Sequence, residues 1–532
     1  MPGVIAAGGP ETAAAGAAIL EQGGNAVDAA VAAAFASFIA EIGVVHLGGS
    51  GIAHIYDSSN GRSAVYDFFS NTPGLNGTPP EKLDFTEVSI DFGPTTQSFH
   101  LGRASVAVPG NIFGLCEMAA AHGRLPLNQL LQPAIQLAQE GVAIAPFQAE
   151  TCALLTPLYT HTAGMREIFL KNGRMIQPGE HLYIPHLADT LAALAEEGED
   201  FMRYGRLAQA ILQDQSENGG LLTPDDLAEY AVYRVESIRL PYRQYEILLP
   251  PPSSTGGVLT AFTLKLLAHF DVSRLTHGSA DHLCLLYELM VATNRARPFW
   301  TKQSETLPLP QAIANFLDDE FVALHAAQVR QALNSGHASP FVPEPDAPSN
   351  TSHLSVVDGD GLAVSLTATA GEGAGYVVPD TGFIPNNMMG EEDLHPNGFH
   401  TRPPGQRIPT MMTPTLVLLD GRLRLVVGSG GSIRIRSAIM QVLSNLLDFG
   451  MTLDKAVNMA RVHVEGGALQ CEAGFDETAV SQLESMGYQV NRWPTRSIYF
   501  GGAHSVSRTP DGRLVAAGDN RRGGAVAVVG EQ

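Results

Sequence analysis

The chain alternates short stretches of period-two hydrophobicity with longer apolar segments of helical spacing. Residues 11–22 and 26–40 read as two Ala-rich helices separated by Gly23-Gly24. The second is apolar on nearly every side, which suits a helix packed between layers. Asp28 and Glu41 bracket it too tightly for a membrane span, which needs about 18 uninterrupted apolar residues. Strands are predicted at 52–57 and 64–68, and helices at 258–269, 436–449, 452–459 and 477–486. Asp420-Gly421 turns a hairpin of strands 415–419 and 422–427, and Pro510-Asp511-Gly512 turns another within 505–517. Thr223, Pro224, Asp225 and Asp226 mark a helix start, with a hydroxyl cap, Pro at the first position and acids in the first turn. Pro250 to Gly257 reads as a core-lining turn, because the apolar helical pattern resumes at Val258. This mixture of paired strands and long apolar helices predicts an α/β layered sandwich.

One hairpin stands out. Thr351, His353, Ser355 and Val357 alternate with Ser352, Leu354 and Val356, then Asp358-Gly359-Asp360-Gly361 supplies a turn, and the return strand runs to Thr369. A turn centred on Gly359-Asp360 puts Thr351 opposite Ala368, and one bulged residue puts it opposite Thr369, at cross-strand spacings of about 5 Å. Residues 335–350 are rich in Pro, Gly, Ala and Ser and predict an exposed, cleavable loop. A Thr that opens a strand after such a loop is placed to become a new N-terminus. An ordinary Thr-rich hairpin is the alternative that this segment alone leaves open.

Composition narrows the classes. The 532 residues are 45% hydrophobic and 16% charged, enough apolar material for a large core and too little charge for a disordered chain. A net charge of −22 argues against nucleic-acid and anionic-membrane partners, which need clustered Lys and Arg. Cys116, Cys152, Cys284 and Cys471 show no CxxC spacing, so neither a zinc site nor a disulfide framework is expected, and buried free thiols are. Leu47-Gly48-Gly49-Ser50-Gly51 lacks GxGxxG and Walker spacing and reads as a structural turn rather than a phosphate cradle. No cofactor or metal is called for. No basic region followed by an apolar stretch precedes the first strand, so a cytoplasmic location is expected, and a true start further upstream would change that to the periplasm.

Thr351-Ser352-His353-x-Ser355-Val356, then Gly361 and Val364-Ser365-x-Thr367-x-Thr369, resembles the processing-site signature of the γ-glutamyltranspeptidase family. Asn386-Asn387, Gly428-Ser429-Gly430-Gly431 and Gly23 to Ala30 match further family blocks, and the similarity extends over nearly the whole chain. The resemblance implies an N-terminal-nucleophile hydrolase with a four-layer αββα sandwich. It implies self-cleavage between Asn350 and Thr351 into fragments 1–350 and 351–532 that stay associated as one compact unit. Thr351 would be the nucleophile and its freed α-amine, a group that ordinarily titrates at about 7.7–8.0, the base. Thr369 would orient Thr351, and Gly430 and Gly431 would donate backbone N–H groups to the oxyanion. Because the glycine alignment slips by one residue, Ser432 is a rival donor. His353 reads as a core histidine, Asp519 to Gly524 as a structural tail motif, and Arg402 and Arg407 as an exposed pair.

The substrate positions depart from the family. Where transpeptidases clamp the γ-glutamyl α-carboxylate with an Arg, this chain has Phe69. The expected Asn, Gln and Asp around the amino group are Gly371, Met388 and Glu391, and the expected Ser pair is Thr410-Met411. Residues 299–309 lack the family's Gly-Asp-Pro stretch. The implied activity is acyl cleavage from a small-molecule amide, such as glutathione, to water or an amine acceptor through an acyl-Thr intermediate. Alternatives are a non-glutamyl acylase, of the β-lactam side-chain or oxamate type, and an unprocessed pseudoenzyme that serves as a binding protein.

Overall fold

Alternating side chains build two antiparallel sheets that stack face to face. In the computed structural model, which describes residues 1–91, 96–341, 350–395 and 397–530, seven strands form the first sheet. Their order is Tyr233–Val235, Arg62–Phe68, Ser50–Asp57, Leu362–Thr369, Ser352–Asp358, Gly3–Ala7 and Ala525–Val529. The second sheet orders Ile238–Tyr242, Tyr245–Leu249, Thr415–Leu419, Arg422–Val427, Ser505–Arg508 and Leu514–Ala517. Helices Pro10–Glu21 and Ala26–Ala40 cover the outer face of the first sheet. Helix Thr255–Leu267 covers the second and packs in turn against Ala280–Thr306 and Ile435–Leu447. The result is the predicted αββα order.

The period of two decides which core each side chain enters. Val4 and Ala6 join Val357, Leu416, Val426 and Val506 between the sheets, whereas Ile5 and Ala7 face the helices. Helix Ala26–Ala40 is buried along its whole length, and its small Ala side chains let it lie close on the sheet. Asn25 and Asp28 form a reciprocal capping box at its start. Thr223 and Asp226 do the same for Pro224–Ala228. The turn ending at Ser254 is also as expected: Ser254 Oγ accepts the Gly257 N–H and donates to the Met412 carbonyl, buttressing the segment that carries Thr410 and Met411. All four cysteines are buried and unpaired.

One stretch without an assigned element takes shape, and one expectation changes. Residues 299–306 continue helix Ala280–Thr306, which passes through Pro298, and a new helix opens at Leu309. Helix Asp319–Ser335 ends where the loop was expected, but Asn350 at its far end is buried rather than exposed. Residues 342–349 of that loop lie outside the described residues. No helix among the described residues is long and apolar enough to cross a membrane.

Candidate active site

The hairpin pairs Ser352 with Ala368, so continuing the register sets Thr351 opposite Thr369, the bulged alternative. A three-residue turn produces this register. The Asp358 carboxylate accepts the Asp360 and Leu362 N–H groups at 3.0 Å each, and Gly361 takes φ +86°. The other Asp358 oxygen accepts the Ala26 N–H at 2.9 Å and ties the turn to the buried helix.

Thr351 sits at the mouth of the inter-sheet layer. The Thr369 hydroxyl donates to the Asn350 carbonyl at 2.5 Å and accepts the Gly371 N–H at 3.0 Å. The carbonyl that precedes Thr351 therefore carries a fixed donor. The Thr351 carbonyl accepts from Arg522 at 3.1 Å, and a side chain at Gly430 would stand 2.1 Å from it. Only glycine allows that approach. His353 bonds Thr367 Oγ1 and Ser355 Oγ at 2.9 and 3.0 Å, and burial holds its pKa well below the usual value. It is a neutral core histidine.

A cavity of about 330 Å³, including its mouth, opens beside Thr351 and Thr369. Phe69, Glu391, Thr410 and Met411 all border it, so the structure gathers six of the eight predicted catalytic and substrate positions around one space. Gly430 and Gly431 are not on its wall. Gly430 directs its N–H to the Gly502 carbonyl at a long 3.4 Å, and Ser432, at φ +50°, borders the cavity. Met388 also lines the wall, where its sulfur accepts from Ser70.

The cavity wall is acidic. Glu391 is 2% exposed and its Oε1 has no hydrogen-bond partner among the described residues. Asp393 borders the same space and accepts from Ser432 Oγ at 3.1 Å. Burial, reinforced by mutual repulsion, pushes the Glu391 carboxyl well up, and burial raises Asp393 as well. Gly371 explains one departure from the family through another. A Cβ there would stand 1.9 Å from Glu391 Oε1, so the longer Glu excludes the Asn that the family pattern expects.

Arg407 and Arg103 are engaged away from the cavity. Arg407 is not exposed: its side chain is 8% accessible, donates to the Phe69 carbonyl, Tyr230 hydroxyl and Ala231 carbonyl, and lies 3.7 Å from Asp67. Arg103 pairs with Asp84 and Asp214 at 3.3 and 3.0 Å. Arg402 is half-buried and off the cavity wall. The tail motif has two parts. Asp519 and Arg521 join Arg461 and Glu472 in a buried ion network, while Arg522 reaches the Thr351 carbonyl. Arg522, Asp393 and Glu372 are the residues that sequence reasoning missed. For the last two the signal was present in the acidic run 391–393 and in Glu372, three residues after Thr369.

Glu372 is fully buried and grips Asn350, accepting its backbone N–H at 3.1 Å and its Nδ2 at 2.7 Å. Burial pushes its carboxyl from 4.5 up to about 8. Over that window the folded chain keeps a proton that the unfolded chain has released, so stability falls as pH rises. The uncleaved Thr351→Ala protein should therefore lose Tm between pH 5 and 8, and adding Glu372→Gln should flatten the decline. Parallel Tm curves for the two proteins would remove Glu372 from this account.

Two stacked antiparallel sheets between helical layers are the αββα sandwich of the N-terminal-nucleophile hydrolases. The Gamma-glutamyltranspeptidase family model matches residues 12–529, and the chain belongs to that family. It is 34% identical over 521 residues to the Acylase ACY 1 proenzyme of Pseudomonas sp. (strain SE83), covering 97% of this chain and 91% of the relative. It is 30% identical over 520 residues to the Glutathione hydrolase proenzyme of Escherichia coli (strain K12), covering 94% and 87%. Among solved structures, cephalosporin acylase from Bacillus halodurans superposes with a TM-score of 0.83 at 26% identity, covering 100% of this chain and 96% of that one. The chain is thus an acyl-transferring hydrolase of this family.

Proposed function

We propose that the chain cleaves itself between Asn350 and Thr351 and then works as an acylase on small amides whose acyl group carries no α-carboxylate. The observation that carries this reading is the cavity itself, which joins Thr351 and Thr369 to a wall holding Phe69, Glu391 and Asp393 and, among the described residues, no Lys or Arg. In maturation Thr351 Oγ attacks the Asn350 carbonyl, Thr369 steadies the developing oxyanion, the C–N bond breaks and water hydrolyses the ester. The freed α-amine then takes the Thr351 hydroxyl proton, Oγ attacks the substrate amide, and the proton leaves with the amine product. Water or an amine acceptor resolves the acyl-Thr ester. Backbone N–H groups of Gly430, Gly431 or Ser432 are the candidates for the second oxyanion donor; the place of Ser432 on the wall favours it. The two fragments remain one unit because their strands share both sheets.

Mass spectrometry of the purified protein should give fragments 1–350 and 351–532. A single intact chain would favour the pseudoenzyme. Because losing one oxyanion donor costs about 10²–10³ in rate, Thr369→Ala should slow maturation at least ~10²-fold and impair turnover, with a circular-dichroism melt close to wild type. Unchanged rates would show that its 2.5 Å bond to Asn350 is incidental to the chemistry.

A further inference from the structure

Resting on the reading that Asn350–Thr351 is the cleaved bond, we propose that Glu372 is a positioning residue for maturation, a clamp on Asn350 that presents the scissile carbonyl. Both of its carboxylate oxygens are spent on that single residue, one on the backbone N–H and one on the side-chain amide. It lies outside the substrate cavity wall. The clamp is itself anchored: Asn387 Oδ1 accepts the Glu372 and Gly373 N–H groups at 2.8 and 3.2 Å. Thr369, three residues before it, holds the Asn350 carbonyl. One short loop thus fixes Asn350 at its N–H, its side chain and its carbonyl oxygen. Such fixing holds reacting atoms in a near-attack arrangement.

The electrostatics give the clamp a direction. Two N–H donors suit an ionised carboxylate, so the grip strengthens as Glu372 loses its proton, and its raised pKa places that loss near neutral pH. Hydrolysis of the ester adds water across the Thr351 Oγ–carbonyl bond, returns the Thr351 hydroxyl and leaves Asn350 with a new carboxylate. The charged groups that face Glu372 are Arg522 and Arg434, which favour its ionised form, and the Glu391 carboxyl, which opposes it.

The test follows cleavage of freshly purified full-length protein on denaturing gels, with wild type confirmed by mass to cut before Thr351. Cutting elsewhere, or none, fails the reading of the cleavage site rather than the clamp. Glu372→Gln replaces one acceptor by a donor facing Asn350 Nδ2 and should slow maturation about tenfold. Asn350→Asp sets two carboxylates against each other and should slow it more. The pair Asn350→Asp/Glu372→Gln restores one donor–acceptor contact and should mature faster than Asn350→Asp alone. The maturation rate should rise from pH 6 to 9 in wild type and stay flat in Glu372→Gln, while kcat/KM of whatever fraction matures changes less than the maturation rate. Wild-type maturation in Glu372→Gln, or no rescue in the double variant at an unchanged Tm, overturns the proposal. Because Gln is isosteric with Glu, the test survives an unfolded Glu372→Ala.

Discussion

Thr351→Ala is expected to yield one uncut 532-residue chain with amidase activity at background. The variant removes the hydroxyl that would attack the Asn350 carbonyl, and with no cut there is no free α-amine to serve as base. Nucleophile and base are lost together, so the loss should resemble removal of a whole catalytic unit rather than of one member. In such units a single deletion already costs about 10⁶ in kcat. The fold should persist, because the methyl and hydroxyl of Thr351 are a small part of a wall formed by Phe69, Met388, Met411 and Ile435. The measurement is a denaturing gel together with anilide hydrolysis. Two fragments of the wild-type size in the variant would move the nucleophile elsewhere.

The second large effect concerns the acyl group. A γ-glutamyl anilide should be turned over at least ten- to a hundred-fold less efficiently than its 4-aminobutyryl counterpart, which is γ-glutamyl without the carboxylate. A carboxylate entering this cavity meets Phe69 where a guanidinium would be needed, and among the described residues no Lys or Arg stands on the wall. Leaving a charged group under-bonded costs about 1–3 kcal/mol or more, and about 1.36 kcal/mol is a factor of ten in rate. Arg407 is off the cavity wall, and its Nη atoms donate to Phe69, Tyr230 and Ala231. Arg103 is locked between Asp84 and Asp214. Side-by-side kcat/KM values for γ-glutamyl, glutaryl, 4-aminobutyryl and butyryl anilides separate the carboxylate from the ammonium. A clear preference for γ-glutamyl would return the protein to transpeptidase specificity.

These expectations depend unequally on sequence and structure. Local patterns determined the elements: the hairpins 415–427 and 505–517, the hydroxyl cap at Thr223 and the nearly all-apolar helix at 26–40 need only neighbouring residues to specify them. The layer order was legible through the family resemblance, and the place of Thr351 at the head of a strand through the period-two alternation of residues 351–357. The register of Thr351 against Thr369 was not. It turned on whether Asp358 would close a two- or a three-residue turn, and its second oxygen is bonded to Ala26, 332 residues away in sequence.

The same holds for charge. Sequence marked Arg402 and Arg407 only as loop arginines and Asp519 to Gly524 only as a tail, because a side chain's worth depends on what else is buried beside it. Tertiary packing sealed Arg407 behind Phe69, brought Arg522 to the Thr351 carbonyl and closed Glu372 onto Asn350. Residue identity by itself determined which chemistry was available, a hydroxyl, an amine to be released and a set of acids. Only the fold decided which of those groups met, since the Arg407 and Arg522 contacts join segments far apart in the chain and all three contacts take their strength from the water that packing removes.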